Sequence, residues 1–272
     1  MTSAADRRRQ FHQLHATGCF VIPNPWDAGS ARMLARLGFA ALATTSAGFA
    51  WSLGRADTQV SVEEMLAHLR LVSDSVEIPV SADFQGGFAI QPADVAANVV
   101  RAAATGIAGL SIEDSTGDAL NPLFDFTLAV ERIRAARQAI DAESSGLLLT
   151  ARSEGFIVGR PDLAETIRRL TAYAEAGADC LYAPGLRTLS DIRAVVAAAA
   201  PKPVNVLVGT GFTTVAELAD AGVRRISVGG GLARVAWTAF FAAAEEIAHS
   251  GTFTSLSPIP PFPEVNARFA AD

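Results

Sequence analysis

The sequence predicts a (β/α)8 barrel of the TIM type. Eight short apolar runs recur along the 272 residues, each followed by a small polar or glycine-bearing stretch and then by a helical pattern. The runs are apolar throughout rather than alternating, as parallel strands covered on both faces should be. Parallel strands joined by right-handed crossovers close into a barrel at eight, and a doubly wound open sheet is the alternative reading of the same pattern. Barrels commonly reach this length as one domain, so residues 1–272 are read as a single domain.

The strand candidates are CFVIPN at 19–24, AALATTS at 40–46, PVSADF at 79–84, GLSIED at 109–114, LLLTARS at 147–153, CLYAPG at 180–185, PVNVLV at 203–208 and RISVGG at 225–230. Helices are expected over 27–37, 62–75, 92–104, 127–139, 161–176, 189–199, 214–221 and 232–249. Pro92 and Pro161 suit first turns, and Ser61 followed by Glu64 is a capping box. Gly38, Gly106, Gly177 and Gly222 mark helix ends. From about residue 251 the chain turns proline-rich (SLSPIPPFPEVNARF) and is expected to run as an extended tail on the surface or on a neighbouring subunit.

Composition narrows the partners. Half of the residues are hydrophobic, enough for a large core. A net charge of −6 argues against a nucleic-acid partner, which needs a basic face. The basic start, MTSAADRRRQ, is not followed by an apolar segment, and no apolar run approaches the ~18 residues of a membrane span. Cys19 and Cys180 lie in strand-like segments without metal-binding spacing and read as reduced core residues of a cytoplasmic protein.

Active sites of such barrels form at the C-terminal ends of the strands, so polar residues there carry the functional expectation. Strand three ends in Asp83, followed by Gln85-Gly86-Gly87; strand four ends in Glu113-Asp114; strand five carries Arg152 and Glu154. Strand two ends in Thr44-Thr45-Ser46, and strand seven passes through Asn205. Carboxylates from adjacent strands repel one another unless a cation or protons intervene. Mg2+ suits them, because it takes oxygen ligands and needs only one or two direct carboxylates, with water and substrate completing its shell. The competing reading of each acid is a helix cap or a surface charge. Arg152 offers a planar fork for a carboxylate or phosphonate, or else a structural ion pair; Thr45 and Ser46 offer hydroxyls and N–H groups to an anion, or else cap a strand. His12, His15, His68 and His249 all fall in helical or terminal segments, so an imidazole base is not expected. Gly229-Gly230-Gly231 suits either a phosphate site at a helix N-terminus or a tight turn, the commoner of the two.

From about Phe20 to Arg234, the ordered segments NPWDAGSARMLARLGF, ATTSAGFAWSLGRAD, PVSADFQGGF, GLSIEDSTG and TARSEGFIVGR resemble the isocitrate lyase/phosphoenolpyruvate mutase superfamily. The resemblance implies a barrel enzyme that makes or breaks C–C or C–P bonds beside a carboxylate, through an enolate stabilised by Mg2+, with Mn2+ as the alternative metal. It implies that Asp83 is the principal metal ligand, with Asp57, Gln85 and Glu113 around it. Thr45 and Ser46 would receive the substrate carboxylate and Arg152 would clamp it, with Asn121 and Asn205 as further site residues. The loops AGFAWSLGRADTQ and the one after strand four would close over the substrate, with Asp57 as gate. It also implies homodimers or homotetramers in which C-terminal helices swap between subunits, through the apolar helix around Val235 to Ile247.

The departures are as informative. The loop after strand four reads STGDALNPLFDF and lacks the cysteine of the isocitrate and methylisocitrate lyases. It keeps Asn121 but has Ala119 where the phosphonate enzymes have lysine, Pro184 stands where some members have histidine or glutamate, and Gln85 replaces an acid. The expected function is therefore a Mg2+-dependent lyase or decarboxylase of a small 2-oxo or 2-hydroxy dicarboxylate, resembling oxaloacetate or a substituted malate. The alternatives are a hydrolase or mutase of phosphonopyruvate and a non-catalytic 2-oxo acid binding protein.

Overall fold

In the computed structural model, which describes residues 2–270, all eight expected strands are present: β1 (Phe20–Ile22), β2 (Leu42–Ala43), β3 (Val80–Asp83), β4 (Gly109–Glu113), β5 (Leu148–Arg152), β6 (Cys180–Tyr182), β7 (Val204–Leu207) and β8 (Arg225–Ser227). They form one parallel sheet in the order β1-β8-β7-β6-β5-β4-β3-β2, a (β/α)8 barrel. Between β1 and β2 the seam is closed by single contacts rather than a ladder. Ala43 N donates to the Pro23 carbonyl at 3.1 Å and the Asn24 side chain donates to the Thr44 carbonyl at 3.0 Å. Asn24 Oδ1 also accepts from the backbone N–H groups of Val228 and Gly229, at 2.9 and 2.8 Å, so one buried amide ties both neighbours of β1 together.

The helices are α1 (Ala4–Ala16), α2 (Ala28–Arg36), α3 (Ser46–Ser52), α4 (Val62–Asp74), α5 (Pro92–Ala103), α6 (Phe126–Ala142), α7 (Leu163–Glu175), α8 (Leu189–Ala199), α9 (Val215–Asp220), α10 (Gly231–Ser250) and α11 (Phe262–Phe269). Eight of them are the expected crossover helices. At α4 the Ser61 and Glu64 capping box forms, with both reciprocal bonds in place, an arrangement worth about 1 kcal/mol. The layer between strands and helices is aliphatic: Leu110, Ile112, Leu149 and Leu181 are fully buried, and truncating one such side chain to alanine costs about 2–5 kcal/mol.

Three helices were not expected from the sequence. α1 closes the N-terminal end of the barrel. Its Phe11 is buried with Ile22, Ala108 and Leu148, and a Cβ on Gly109 would lie 2.8 Å from the Phe11 ring. The basic residues of α1 hold carbonyls at the ends of the crossover helices: Arg7 donates to Ser73 and Val76, and Arg8 to Ala103, Ile107 and Ser145. Cations suit those positions, where the last carbonyls of a helix lack partners. α3 begins where β2 was expected to continue. Beyond Gly251, the stretch expected to be extended carries a 3-10 turn at Thr254–Leu256 and then α11. Arg36 of α2 donates to the carbonyls of Arg268 and Ala270, which seats α11 on the same chain.

Cys19 and Cys180 are free thiols, the second fully buried. No helix among the described residues is long and apolar enough to cross a membrane.

Candidate active site

Parallel strands direct their C-terminal ends to one rim, and a cavity of about 330 Å3 opens there, reaching down between the strands. Asp83, the last residue of β3, is held from two sides. Its Oδ1 accepts from Arg152 Nη1 at 2.8 Å, and its Oδ2 accepts from the backbone N–H of Ser46 at 2.9 Å. Its own N–H donates to the Thr44 hydroxyl at 3.0 Å. This register follows from β2 giving way at Thr44: Thr45 becomes the N-cap of α3, accepting from Gly48 N at 3.2 Å, and the first turn of the helix faces Asp83. Gly48 must be glycine, since a Cβ would come within 2.7 Å of Thr45 Cγ2 and 2.9 Å of Trp26 Cβ.

Arg152, the last residue of β5, gathers three carboxylates. Nη1 bonds Asp83, Nε bonds Glu154 Oε1 at 2.8 Å, and Nη2 lies 3.3 Å from Glu113 Oε2. Its guanidinium also stacks over Tyr182. Burial alone would lower the affinity of Arg152 for its proton, but Glu154, Glu113 and Asp83 outweigh it and hold the group well above its usual range. The acids respond in the other direction. Burial, against the opposing pull of Arg152 and with Glu154, Asp83 and Asp57 adding repulsion, pushes Glu113 up to about 8. Glu154 is raised by burial as well. Asp57, on the loop after α3, lines the cavity rim, accepts from the Thr58 backbone N–H at 2.9 Å, and is raised by desolvation and by the charge of Asp83.

Three carboxyl groups on one guanidinium, with Asp57 beside them, leave the rim short of positive charge. The donors present are oxygens without exception, and among the described residues no three acids or imidazoles converge as a ready-made cage. The oxygen donors fit Mg2+, which binds through one or two carboxylates and keeps its waters. Gln85 lies next to them. It sits at φ 48° beside Asp83 and its buried amide nitrogen has no partner. Gln85 also lines the cavity, and its amide carries an oxygen that can accept from a cation-bound water. Behind it, the fully buried Arg132 donates to the carbonyls of Glu113, Gly86 and Ala89, fixing the β3 and β4 loops to each other.

The structure thus brings Thr45, Ser46, Asp57, Asp83, Gln85, Glu113, Arg152 and Asn205 to one cavity. It does not bring Asn121 there. The loop after β4 folds back on itself through the Ser115 and Leu123 bridge and a Thr116 N–H bond to the Pro122 carbonyl, and Asn121 donates outward to Asp118 at 3.2 Å. Asp114 also leaves the site. Successive strand residues face opposite sides, so Glu113 points inward and Asp114 outward, where it accepts from Arg169 at 3.1 Å and Tyr173 at 2.6 Å. Glu154 is nearer the centre than its place beyond the strand suggested, because Asp114 accepts its backbone N–H at 2.8 Å and turns it back toward Arg152. Tyr182, Ser227 and Arg225 also line the cavity and were missed. Their only sequence signal was a polar residue at every second strand position.

A family model described as phosphoenolpyruvate phosphomutase matches residues 11–248. A solved structure from Burkholderia cenocepacia, provisionally described as a lyase/mutase, is 47% identical with a TM-score of 0.94, covering 98% of this chain and 97% of that one. The 2-methylisocitrate lyase of Escherichia coli is 30% identical over 61% of this chain and 58% of its own length. The oxaloacetate decarboxylase of Bradyrhizobium diazoefficiens is 28% identical over 68% of this chain and 65% of its own. A family match that spans nearly the whole barrel makes the chain a member of the phosphoenolpyruvate phosphomutase family, within the isocitrate lyase/phosphoenolpyruvate mutase superfamily.

Proposed function

We propose that this protein is a Mg2+-dependent lyase or decarboxylase acting on a small 2-oxo or 2-hydroxy dicarboxylate. The observation that carries the reading is the rim: Asp83, Glu113 and Glu154 share Arg152, and Asp57 lines the cavity beside them. Such a site has room for a divalent cation and for one anionic substrate group on the arginine fork. Relatives that cleave 2-methylisocitrate and decarboxylate oxaloacetate support carbon–carbon chemistry.

Asp83 and Glu113 would hold the metal, with Gln85 and Asp57 around its waters. When bound, Mg2+ supplies a Lewis acid beside the 2-oxo group, where charge develops as the carbon–carbon bond breaks. The residues do the rest. Arg152 and the first turn of α3 orient the carboxylate next to the 2-oxo group. Tyr182 packs against Arg152, with its ring centroid 5.1 Å from the guanidinium carbon. Loss of CO2 from oxaloacetate leaves the bonding pair of C3–C4 on C3, which then takes a proton to give pyruvate; no specialised cysteine is needed. The absence of that cysteine, together with Ala119 and Pro184, sets this chain apart from the methylisocitrate lyases and phosphonate mutases in the resemblance described above.

Purified protein with Mg2+ should release pyruvate from oxaloacetate, or cleave a substituted malate, well above the metal-only rate, and Asp83→Ala should abolish the excess. Turnover of phosphonopyruvate instead would replace this reading with C–P chemistry. Tight binding of 2-oxo acids with no turnover would make the protein a binding module.

The apolar outer face of α10 and the segment beyond it support a homo-oligomer. Val235, Phe240, Phe241 and Phe262 are each more than half exposed in the single chain, and Phe240 and Phe241 cluster with Trp237 as an apolar surface that a second copy would cover. We assign the protein to the cytoplasm on the same footing, from its reduced cysteines.

A further inference from the structure

We propose that Arg225 is an anion-binding residue on the floor of the cavity, receiving a carboxylate at the end of the substrate remote from Arg152. The inference rests on the proposed 2-oxo dicarboxylate reading and adds to it where the second charge is held.

The strand registers set the geometry. Glu113, Arg152, Tyr182, Asn205 and Arg225 are successive cross-strand partners on β4 through β8. Partners in a parallel ladder face the same side, so this row carries polar groups around the inner wall. At one end Arg152 is crowded by carboxylates. At the other, Arg225 is 5% exposed, lines the cavity, and has only neutral partners. Its Nε donates to Asn205 Oδ1 at 2.9 Å, Nη2 to Thr150 Oγ1 at 3.1 Å, and Nη1 faces His15 Nε2 at 3.2 Å.

The imidazole is neutral, and its tautomer is set by geometry. Nδ1 lies 2.7 Å from the Phe11 carbonyl and must donate there, which leaves the Nε2 lone pair for Arg225. Burial, with the neighbouring Arg225 charge, pushes His15 down to about 3, so it adds no proton of its own at neutral pH. A guanidinium has five N–H donors and three are used. The remaining two, and the whole positive charge, have no anion among the described residues.

Other buried arginines differ on these points. Arg169 has Asp114 and Glu165. Arg7 and Arg132 are spent on backbone carbonyls and do not line this cavity. Keeping an unpaired charge out of water is unfavourable unless an anion joins it. Ser227 and Asn205 flank the same spot with further polar groups. A carboxylate reaching the floor would meet a charge that nothing else neutralises.

The kinetic consequence follows from charge. If oxaloacetate is decarboxylated, the C3–C4 bond breaks, C4 departs as CO2, and the electron pair stays on C3, which is then protonated. The C4 carboxylate loses its charge on the way, so its contact with Arg225 belongs to the ground state. Arg225→Met should then raise KM for oxaloacetate without a matching fall in kcat.

The test is calorimetry in the presence of Mg2+ with pyruvate and 2-oxoglutarate, which differ in a distal carboxylate. Wild type should prefer 2-oxoglutarate by at least about tenfold, Arg225→Met should erase the preference while leaving pyruvate affinity within about twofold, and Arg225→Lys should keep part of it. No preference in wild type overturns the proposal even if the variants fail to fold. Equal weakening of both ligands in a folded Arg225→Met, read by near-ultraviolet circular dichroism, also overturns it and leaves Arg225 a structural residue. Binding of pyruvate alone sinks the floor subsite but spares the proposed function; binding of neither 2-oxo acid sinks both.

Discussion

Arg152 Nη1 and Asp83 Oδ1 are 2.8 Å apart, so the group expected to clamp the substrate and the group expected to hold the metal are each other's partner. A cation at Asp83 would compete with the guanidinium for the same oxygen and release its fork toward an incoming carboxylate. Metal and substrate binding should therefore be coupled. Oxalate affinity measured by calorimetry should rise at least about tenfold when Mg2+ is added, and Mg2+ affinity should rise by the same factor with oxalate, as linkage requires. Independent binding of the two would count against Asp83 as the shared partner.

Gln85 leaves the rim one negative charge short of an all-acid set. Gln85→Glu should tighten Mg2+ by about 10-fold, within the range seen for outer-shell changes around metals. Titration of Mg2+ into both proteins measures it, and equal affinities would show that position 85 does not face the cation.

Removal of Arg132 should loosen the site without touching it. Arg132→Met strands the carbonyls of Glu113, Gly86 and Ala89, and unpaired buried acceptors cost about 1–3 kcal/mol each. Urea unfolding should show a loss of that order. An unchanged midpoint would mean that water replaces the guanidinium.

His15 predicts a pH dependence of stability. Its folded value of about 3 lies below its ordinary 6.5, so below 6.5 the unfolded chain binds the extra proton. The contribution of this residue is complete above that pH and is lost as pH falls toward 3, at up to about 1.4 kcal/mol per pH unit. His68, pushed down to about 4 chiefly by burial, acts in the same direction. Denaturant midpoints at pH 7.5 and pH 5 should therefore fall less in His15→Gln than in wild type. Parallel losses would assign the acid sensitivity elsewhere.

The exposed aromatic face of α10 gives a prediction about assembly. Phe240→Glu with Phe241→Glu should convert an oligomer to a monomer in sedimentation, with little change in the fold of the barrel. A monomeric wild type would remove the reason for expecting helix exchange.

The sequence by itself determined the barrel and most of its rim. Continuous apolar runs punctuated by glycine admit few arrangements, and the convergence of strand ends in a barrel makes Asp83, Glu113 and Arg152 neighbours. It could not show that α1 plugs the floor, because the helix has a weak apolar stripe and is held by arginines reaching carbonyls distant in the chain, such as Arg8 to Ser145. Strand position left Glu113 and Asp114 side by side, and the family resemblance alone singled out Glu113; nothing in the sequence foresaw that the loop after β4 turns Asn121 outward onto Asp118. Above all, it could not show that three acids share Arg152 while Arg225 has none. Charge pairing depends on contacts among β3, β4, β5 and β8, and those distances exist only once the barrel has closed.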